Sequence, residues 1–161
     1  MGETEWAVGI AEVKVSKFPD SLVAYGLGSC VGVTLYDLGQ KTGGLAHVML
    51  PSSALFTRAF VPGKYADTAI DQLVQELKLQ GSPVNRLEAK LVGGANMFKS
   101  IVSHPVPIGV RNATAAREKL RSLSIPIVGE DLGGEFGRTI QFSLETGRIK
   151  IKKLNQPEFW L

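Results

Sequence analysis

The residues best suited to covalent chemistry are the chain's single cysteine, Cys30, and one of its two histidines, His47. A thiolate can attack a carbonyl carbon, while a nearby imidazole takes the thiol proton and later protonates the leaving group. The oxyanion that develops must then be stabilised by backbone N–H groups. The two side chains are therefore those that a cysteine-dependent amide hydrolase requires.

Small residues directly before the cysteine suit such a site. Cys30 follows Gly28 and Ser29 and begins an alternating run, CVGVTLYD, that predicts a strand over residues 30–37. Gly28 and Ser29 would let a substrate carbonyl approach the backbone, and the N–H of Cys30 is a natural oxyanion donor. We expect Gly28 and Ser29 to shape the site rather than to react.

The predicted neighbouring strand carries the histidine. His47 lies within LAHVMLP, residues 45–51, and the loop over residues 37–44 has the composition of a hairpin turn. A pairing centre near residue 39 or 40 would bring Cys30 and His47 close to opposite one another. Directly opposed side chains lie about 5 Å apart at Cβ, so the two groups would be within reach.

Other interpretations of these residues stay open or fail on spacing. A lone cysteine in a strand is commonly a small core residue, as is a histidine in an apolar strand. The glycine run is no dinucleotide fingerprint, because Val31 stands where the third glycine is needed and a strand follows. A metal site built from both histidines and Cys30 has no supporting ligand spacing, and His104 has only its residue type in its favour.

Strand-like segments at both ends of the chain enclose two predicted helices. The strands are expected within residues 6–16, 22–28, 30–37, 45–51, 88–98 and 126–154, and the helices over about 65–80 and 110–125. Asn112 is predicted to cap the second helix. This order favours the α/β (α+β) class, as a layered α-β-α sandwich with mixed, largely antiparallel sheets and two main helices.

Composition limits the functional class. The 161 residues are 44% hydrophobic and 20% charged with a formal charge of +3, which is typical of a soluble globular protein. We expect one domain over residues 1–154 and a tail over 155–161, in a cytoplasmic protein without membrane insertion. The basic residues are too dispersed for nucleic-acid binding. The irregular segment 52–65 is typical of a lid or binding loop.

Four sequence blocks together resemble one known family. The first block is the pair GLGSCVGVTLYD and GGLAHVMLP. The other three are LVGGANMF, IGVRN and GEDLGGEFGRTI, in this order along the chain. Their order and content are similar to those of CheD, the chemoreceptor glutamine deamidase family of bacterial and archaeal chemotaxis. The resemblance extends from about residue 6 to about residue 153.

The resemblance implies a function and a site. It implies a protein-glutamine glutaminase that converts glutamine side chains of methyl-accepting chemotaxis receptors to glutamate, with Cys30 as nucleophile and His47 as general base and acid. Neither a cofactor nor a metal is needed for such a reaction. A CheC-type phosphatase of the response regulator is the implied partner.

One position departs from the family pattern. The family has a threonine six places before the cysteine that orients the histidine, and this chain has Ala24 there. The group that orients His47, the receptor glutamines, the partner interface, the oligomeric state and the role of the tail are not given by the sequence. Ala24 keeps a second hypothesis open, in which the chain is a weakly active regulatory module that binds and stimulates a CheC-type phosphatase.

Overall fold

Within residues 2–55, 61–98 and 104–161, which the computed structural model describes, the chain forms ten β-strands, two α-helices and three short 3-10 turns. The strands are β1 (Glu5–Ala7), β2 (Val13–Lys17), β3 (Ser21–Leu27), β4 (Val31–Asp37), β5 (Thr42–Val48), β6 (Glu88–Gly93), β7 (Ile127–Leu132), β8 (Arg138–Ser143), β9 (Ile149–Lys153) and β10 (Phe159–Trp160); the helices are α1 (Ala66–Leu79) and α2 (Ile108–Ser122).

The strands form two mixed sheets of five. The outer sheet has the order β1-β3-β8-β9-β10, and the inner sheet has the order β2-β5-β4-β6-β7. The pairs β1–β3 and β6–β7 are parallel, while the other pairs are antiparallel. The expected α+β class, with two main helices and largely antiparallel mixed sheets, is confirmed.

Two hydrophobic cores lie on the two faces of the inner sheet. The helix-side core packs α1 and α2 on that sheet, and its fully buried members include Val33, Leu35, Leu73 and Leu120. The inter-sheet core joins the inner sheet to the outer one through Leu22, Leu45, Ile140, Phe142 and others. Both helices cover the inner sheet, so the layers are the helices, the inner sheet and the outer sheet. The expected α-β-α order is therefore replaced by an α-β-β order.

The predicted pairing of these two strands is confirmed, but Cys30 lies just before β4 and the turn is shorter than the predicted loop over residues 37–44. Strand β4 pairs with β5 from Val31 opposite Val48 to Asp37 opposite Thr42, which leaves residues 38–41 as the turn. Alternation sends Val31, Val33 and Leu35 of β4 toward the helices, whereas Gly32 and Tyr36 face the outer sheet.

Three expectations about the elements need correction or completion. The segment 6–16 divides into β1 and β2, which belong to different sheets, with a turn at Ala11 (φ 66°) between them. Helix α2 begins at Ile108, so Asn112 is an internal helix residue and not its N-cap. The tail, whose role the sequence left open, pairs as β10 with β9 and ends at Leu161, which packs against the inter-sheet core.

The segment 52–65 is only partly described. Short 3-10 turns lie at Ser53–Leu55 and Pro62–Lys64, and the expected lid between them falls on residues outside the described ranges. None of the helices in the described ranges is long and apolar enough to span a membrane.

Candidate active site

Cys30 lies in the turn between β3 and β4, one residue before the first paired residue of β4. The turn is held from behind by the chain that follows β6. The carbonyl of Cys30 accepts a hydrogen bond from the Gly94 N–H at 2.9 Å, and the Gly28 carbonyl accepts one from Ala95 at 2.9 Å. A side chain on Gly93 (φ 118°) would collide with the Cys30 carbonyl, so this close contact requires glycine there.

The thiol of Cys30 faces the inter-sheet core but keeps partial contact with solvent. Its side chain packs on that core while the residue stays half-buried. Burial raises the pKa of the Cys30 thiol above its ordinary value, and the residue's own backbone N–H offsets this only in part. In the absence of substrate the group is therefore a thiol at neutral pH, not a thiolate.

The ring of His47 is buried and has a defined tautomer. The residue is 2% exposed, and its Nδ1 lies 3.1 Å from the backbone oxygen of Val8. A carbonyl oxygen can only accept, so Nδ1 must carry the proton and donate it to Val8. The lone pair of a neutral imidazole then lies on Nε2, which is the nitrogen that can act as a base.

The segment between β1 and β2 holds His47 by its main chain as well. The His47 N–H donates to the Glu12 carbonyl at 3.0 Å, and the His47 carbonyl accepts from the Ala11 N–H at 3.0 Å. Burial lowers the pKa of His47, against smaller opposing effects of the Val8 hydrogen bond and the Glu12 charge. The imidazole is thus held neutral in a fixed orientation by one short segment.

The thiol and the imidazole are diagonal neighbours on one face of the hairpin. His47 pairs with Gly32, and Cys30 lies two residues before Gly32, so the expected pairing of β4 with β5 is confirmed but direct opposition of the two residues is not. Diagonal neighbours have Cα atoms about 7–8 Å apart. At that separation a small group can lie between the two side chains, or a modest change of side-chain conformation can bring them together. His47 Nε2 is buried and has no hydrogen-bond partner among the described residues.

The two predicted site-shaping residues lie beside Cys30 in different ways. Gly28 is covered by Met97, whose sulfur would lie 2.7 Å from a Cβ atom at position 28. The carbonyl of Ser29 accepts a hydrogen bond from Nδ2 of Asn112 at 3.0 Å. The sequence pattern predicted Asn112 to be a helix cap. The sequence pattern that marked it for the site was its position in the IGVRN block.

A buried arginine supports the loop behind Cys30. Arg138 is 3% exposed and donates to the Gly93 carbonyl at 3.2 Å and to the Gly133 carbonyl at 3.0 Å. Its Nε donates to Asp131 at 2.8 Å, and this pairing holds the pKa of the Asp131 carboxyl below its ordinary value despite burial. The late GGxxGR segment of the sequence therefore stabilises the backbone against which the Cys30 turn is held.

The remaining candidates lie outside this cluster or are inert within it. Ala24 is fully buried in the inter-sheet core and opposes Ile140 of β8. His104 is exposed, and its Nδ1 contacts the backbone of Val106 in a local turn. In the part of the chain that the structure describes, no three histidine, cysteine or acidic side chains gather as a metal site would require.

Comparison with known proteins identifies the family. The family model described as CheD chemotactic sensory transduction matches residues 49–153. A protein of Clostridium botulinum strain Hall, named probable chemoreceptor glutamine deamidase CheD, is 48% identical over 149 residues, which is 92% of each chain. A protein of the same name from Lachnoclostridium phytofermentans is 45% identical over 152 residues, 94% of each chain. The chain belongs to the CheD family.

Membership in the CheD family confirms the resemblance drawn from the four sequence blocks. The family model match begins after both candidate residues, but the CheD relatives align over nearly the whole chain. Too few residues lie outside those alignments to exclude Cys30 or His47. The turn at Cys30 and the strand of His47 are therefore parts of the CheD domain and not additions to it.

Proposed function

We propose that this protein is a chemoreceptor glutamine deamidase in which Cys30 is the nucleophile and His47 the general base and acid. The relatives are named for this activity. The observation that carries the proposal is the state of His47: its Nδ1 donates to Val8, and its Nε2, which has no partner among the described residues, shares a face with the Cys30 thiol. Because the proposed substrate is the cytoplasmic part of the receptor, we expect the protein to act in the cytoplasm.

The first half of the reaction forms a thioester. His47 Nε2 takes the Cys30 thiol proton as the sulfur attacks the side-chain amide carbon of glutamine. The carbon–nitrogen bond then breaks, and the imidazolium gives its proton to the departing nitrogen, which leaves as ammonia. During this step the Val8 carbonyl accepts from Nδ1 and stabilises the positive ring, as a carboxylate or carbonyl does in other triads.

The second half releases glutamate. Neutral Nε2 accepts a proton from water as the water oxygen attacks the thioester carbon. The carbon–sulfur bond breaks and the sulfur recovers a proton, which leaves a glutamate side chain on the receptor. The product carries one more negative charge than the substrate, and that charge changes the interactions between neighbouring receptor helices.

The turn before Cys30 supplies the groups that would stabilise the oxyanion. The backbone N–H of Cys30 lies against its own sulfur, so it is close to any carbonyl that the sulfur attacks. Gly28 and Ser29 add no bulky side chain of their own beside that N–H. We assign them a shaping role, as the sequence predicted.

Burial decides how the nucleophile is generated. The pKa of Cys30 is raised and that of His47 is lowered, so the resting pair is a neutral thiol and a neutral imidazole. The proton therefore moves when substrate is bound and not before. We expect slow alkylation of the free enzyme by iodoacetamide near neutral pH, with a rate that rises steeply in alkaline solution.

Mass spectrometry of a cognate receptor tests the proposal. Incubation with the wild-type protein is expected to convert selected glutamines to glutamate, a gain of about 1 Da each, and Cys30→Ala is expected to lose at least about 1,000-fold in rate. The matched control is Tyr36→Phe, which alters the same core far from Cys30. A receptor left unchanged by wild type, or converted equally by Cys30→Ala, would contradict the proposal.

The regulatory hypothesis rested on Ala24 and now has less support. The missing threonine hydroxyl would leave the imidazole unoriented, but the Val8 carbonyl accepts from its Nδ1 and orients it. Binding to a CheC-type phosphatase stays a prediction beside the deamidase activity. Stimulation of that phosphatase by Cys30→Ala, with no deamidation by wild type, would favour the regulatory hypothesis instead.

A further inference from the structure

Asn112 is a buried polar residue that reaches out of its helix toward the proposed catalytic pair. It lies inside α2 and is fully buried. Its Nδ2 is 3.0 Å from the Ser29 carbonyl and 3.0 Å from the Met49 carbonyl. One side-chain amide thus donates both of its protons to two separate segments of the chain.

The chemistry of the partners fixes the orientation of this amide. Both partners are backbone carbonyls, which can accept a hydrogen bond but cannot donate one. The amide with its oxygen and nitrogen exchanged would place oxygen against two oxygens. The nitrogen must therefore face Ser29 and Met49, and Oδ1 is left buried with no partner in the part of the chain that the structure describes.

The two carbonyls lie at the open end of the hairpin. The last paired residues are Val31 of β4 and Val48 of β5, so the strand ladder stops one residue short of both Cys30 and Met49. Ser29 precedes the nucleophile directly, and Met49 follows His47 by two residues. The Asn112 amide joins the segments of Ser29 and Met49 beyond the end of the β4–β5 ladder. No β4–β5 backbone pair fixes their separation there.

The helix approaches this end of the hairpin by a second contact. Gly109, three residues before Asn112 and on the same side of α2, packs so closely on the backbone at Gly94 and Ala95 that a Cβ would collide with it. Gly94 in turn donates to the Cys30 carbonyl at 2.9 Å. The first turns of α2 therefore contact the Cys30 turn from two sides.

The cost of this arrangement argues for a functional role. A buried amide oxygen without a partner is unfavourable, and an apolar residue of similar volume would avoid that cost. Most buried polar groups in proteins are fully hydrogen-bonded, so the exceptions call for a cause. His47 Nε2 and Asn112 Oδ1, two of the unpartnered buried atoms among the described residues, belong to side chains at this end of the hairpin.

We propose that Asn112 is a positioning residue that sets the separation of the Cys30 turn and the His47 strand. The inference rests on the proposed deamidase function. The residue touches neither the thiol nor the substrate and acts through the backbone carbonyls of Ser29 and Met49. Without its two hydrogen bonds the hairpin end can spread, and the thiol proton no longer has a well-placed acceptor.

One substitution at this position tests the proposal. Asn112→Leu keeps the branched shape of the side chain and removes both donors. We expect the kcat for receptor deamidation to fall about 100-fold in Asn112→Leu, since a misplacement of about 1 Å costs that much. KM is expected to stay within about threefold, because the substrate-binding surface is unchanged.

A second buried hydrogen bond provides the matched control. The Tyr36 hydroxyl donates to the Leu144 carbonyl at 2.9 Å, at the other end of β4. Tyr36 lies six positions after Cys30 along the chain, which is about 20 Å in extended backbone. Tyr36→Phe removes a side-chain-to-backbone bond as Asn112→Leu does, and we expect it to lower the thermal midpoint and to leave kcat unchanged. Equal loss of kcat in both variants at matched stability would overturn the proposal.

Two measurements keep the inference separate from the activity and from folding. The pH profile of Cys30 alkylation by iodoacetamide needs no receptor, and Asn112→Leu is expected to shift it while Tyr36→Phe leaves it unchanged. In wild type, NMR should find both Asn112 side-chain protons protected from exchange, unlike those of Asn155. An unprotected amide, or identical profiles in all variants, overturns the positioning role. A receptor left unmodified by wild type overturns the proposed function alone.

Discussion

The two ends of the inter-sheet core treat a buried polar side chain in opposite ways. At one end the Tyr36 hydroxyl donates to Leu144 at 2.9 Å, and its ring meets Phe142 edge-on with centroids 5.9 Å apart. At the other end His47 also bonds a backbone carbonyl, but its second ring nitrogen has no partner in the described part of the chain. The polar group at the first end is hydrogen-bonded, whereas the one at the second end has a ring nitrogen that is still available to accept a hydrogen bond.

The difference separates stability from chemistry within one core. Each polar group is anchored by one bond to a neighbouring segment, and that bond fixes its orientation. Only at the His47 end is a basic atom left over, next to a thiol that is not fully buried. Substitutions at the two ends should therefore differ in kind: loss of activity at one, and loss of stability alone at the other.

The largest expected effect is loss of the base. His47→Gln removes the proton acceptor, and we expect kcat for receptor deamidation to fall about 100- to 10,000-fold. Tyr36→Phe, at the first end, is expected to cost about 1–3 kcal/mol of unfolding free energy with kcat unchanged. Receptor assays and urea unfolding of the two variants measure this. A similar kcat in His47→Gln and wild type would mean that Nε2 is not the base.

A cavity in the helix-side core should lower stability without touching the chemistry. Leu73 is fully buried between α1 and the inner sheet. Leu73→Ala is expected to reduce the unfolding free energy by about 2–5 kcal/mol. At temperatures where the variant is folded, its kcat should equal that of wild type. A large fall in kcat there would show that the two faces of the inner sheet are coupled.

Acid should destabilise the protein through the buried imidazole. The pKa of His47 is lowered in the folded state, so the unfolded chain binds a proton first as the pH falls below about 6.5. The unfolding free energy is then expected to fall by up to about 1.4 kcal/mol for each pH unit until the folded histidine also titrates. Urea unfolding at about pH 7.5 and 5.5 measures the change.

The two histidines provide the control for that measurement. His47→Gln should remove this part of the pH dependence, whereas His104→Gln should retain it because it leaves His47 in place. A dependence that persists equally in His47→Gln would assign it to other groups.

The smallest effect is expected at the position that departs from the family pattern. Ala24→Thr restores the usual hydroxyl, yet the Val8 carbonyl already accepts from His47 Nδ1. We expect the rate to stay within about threefold of wild type, with some loss of stability from overpacking a fully buried site. A rate increase of tenfold or more would mean that Val8 alone orients the ring poorly.

Local patterns were sufficient for most of the elements and for the pairing of β4 with β5. Apolar spacing predicted a helix over about 65–80, and α1 spans Ala66–Leu79. The hairpin turn predicted that the strand after Cys30 pairs with the strand of His47, because a short turn leaves few registers. The direct partner of His47 is Gly32, since the exact register depends on the turn conformation and not on the alternation of residues.

The sequence by itself determined the α+β class, the paired cysteine and histidine, and, through four ordered blocks, the CheD family. Each of these depends on residue types and local periodicity, which can be read directly along the sequence. Only the tertiary structure decided that both helices cover one sheet, that Val8 orients His47, and that Asn112 joins the hairpin end. Those contacts link segments 39 to 83 residues apart and use backbone carbonyls, which every residue has and no sequence pattern marks.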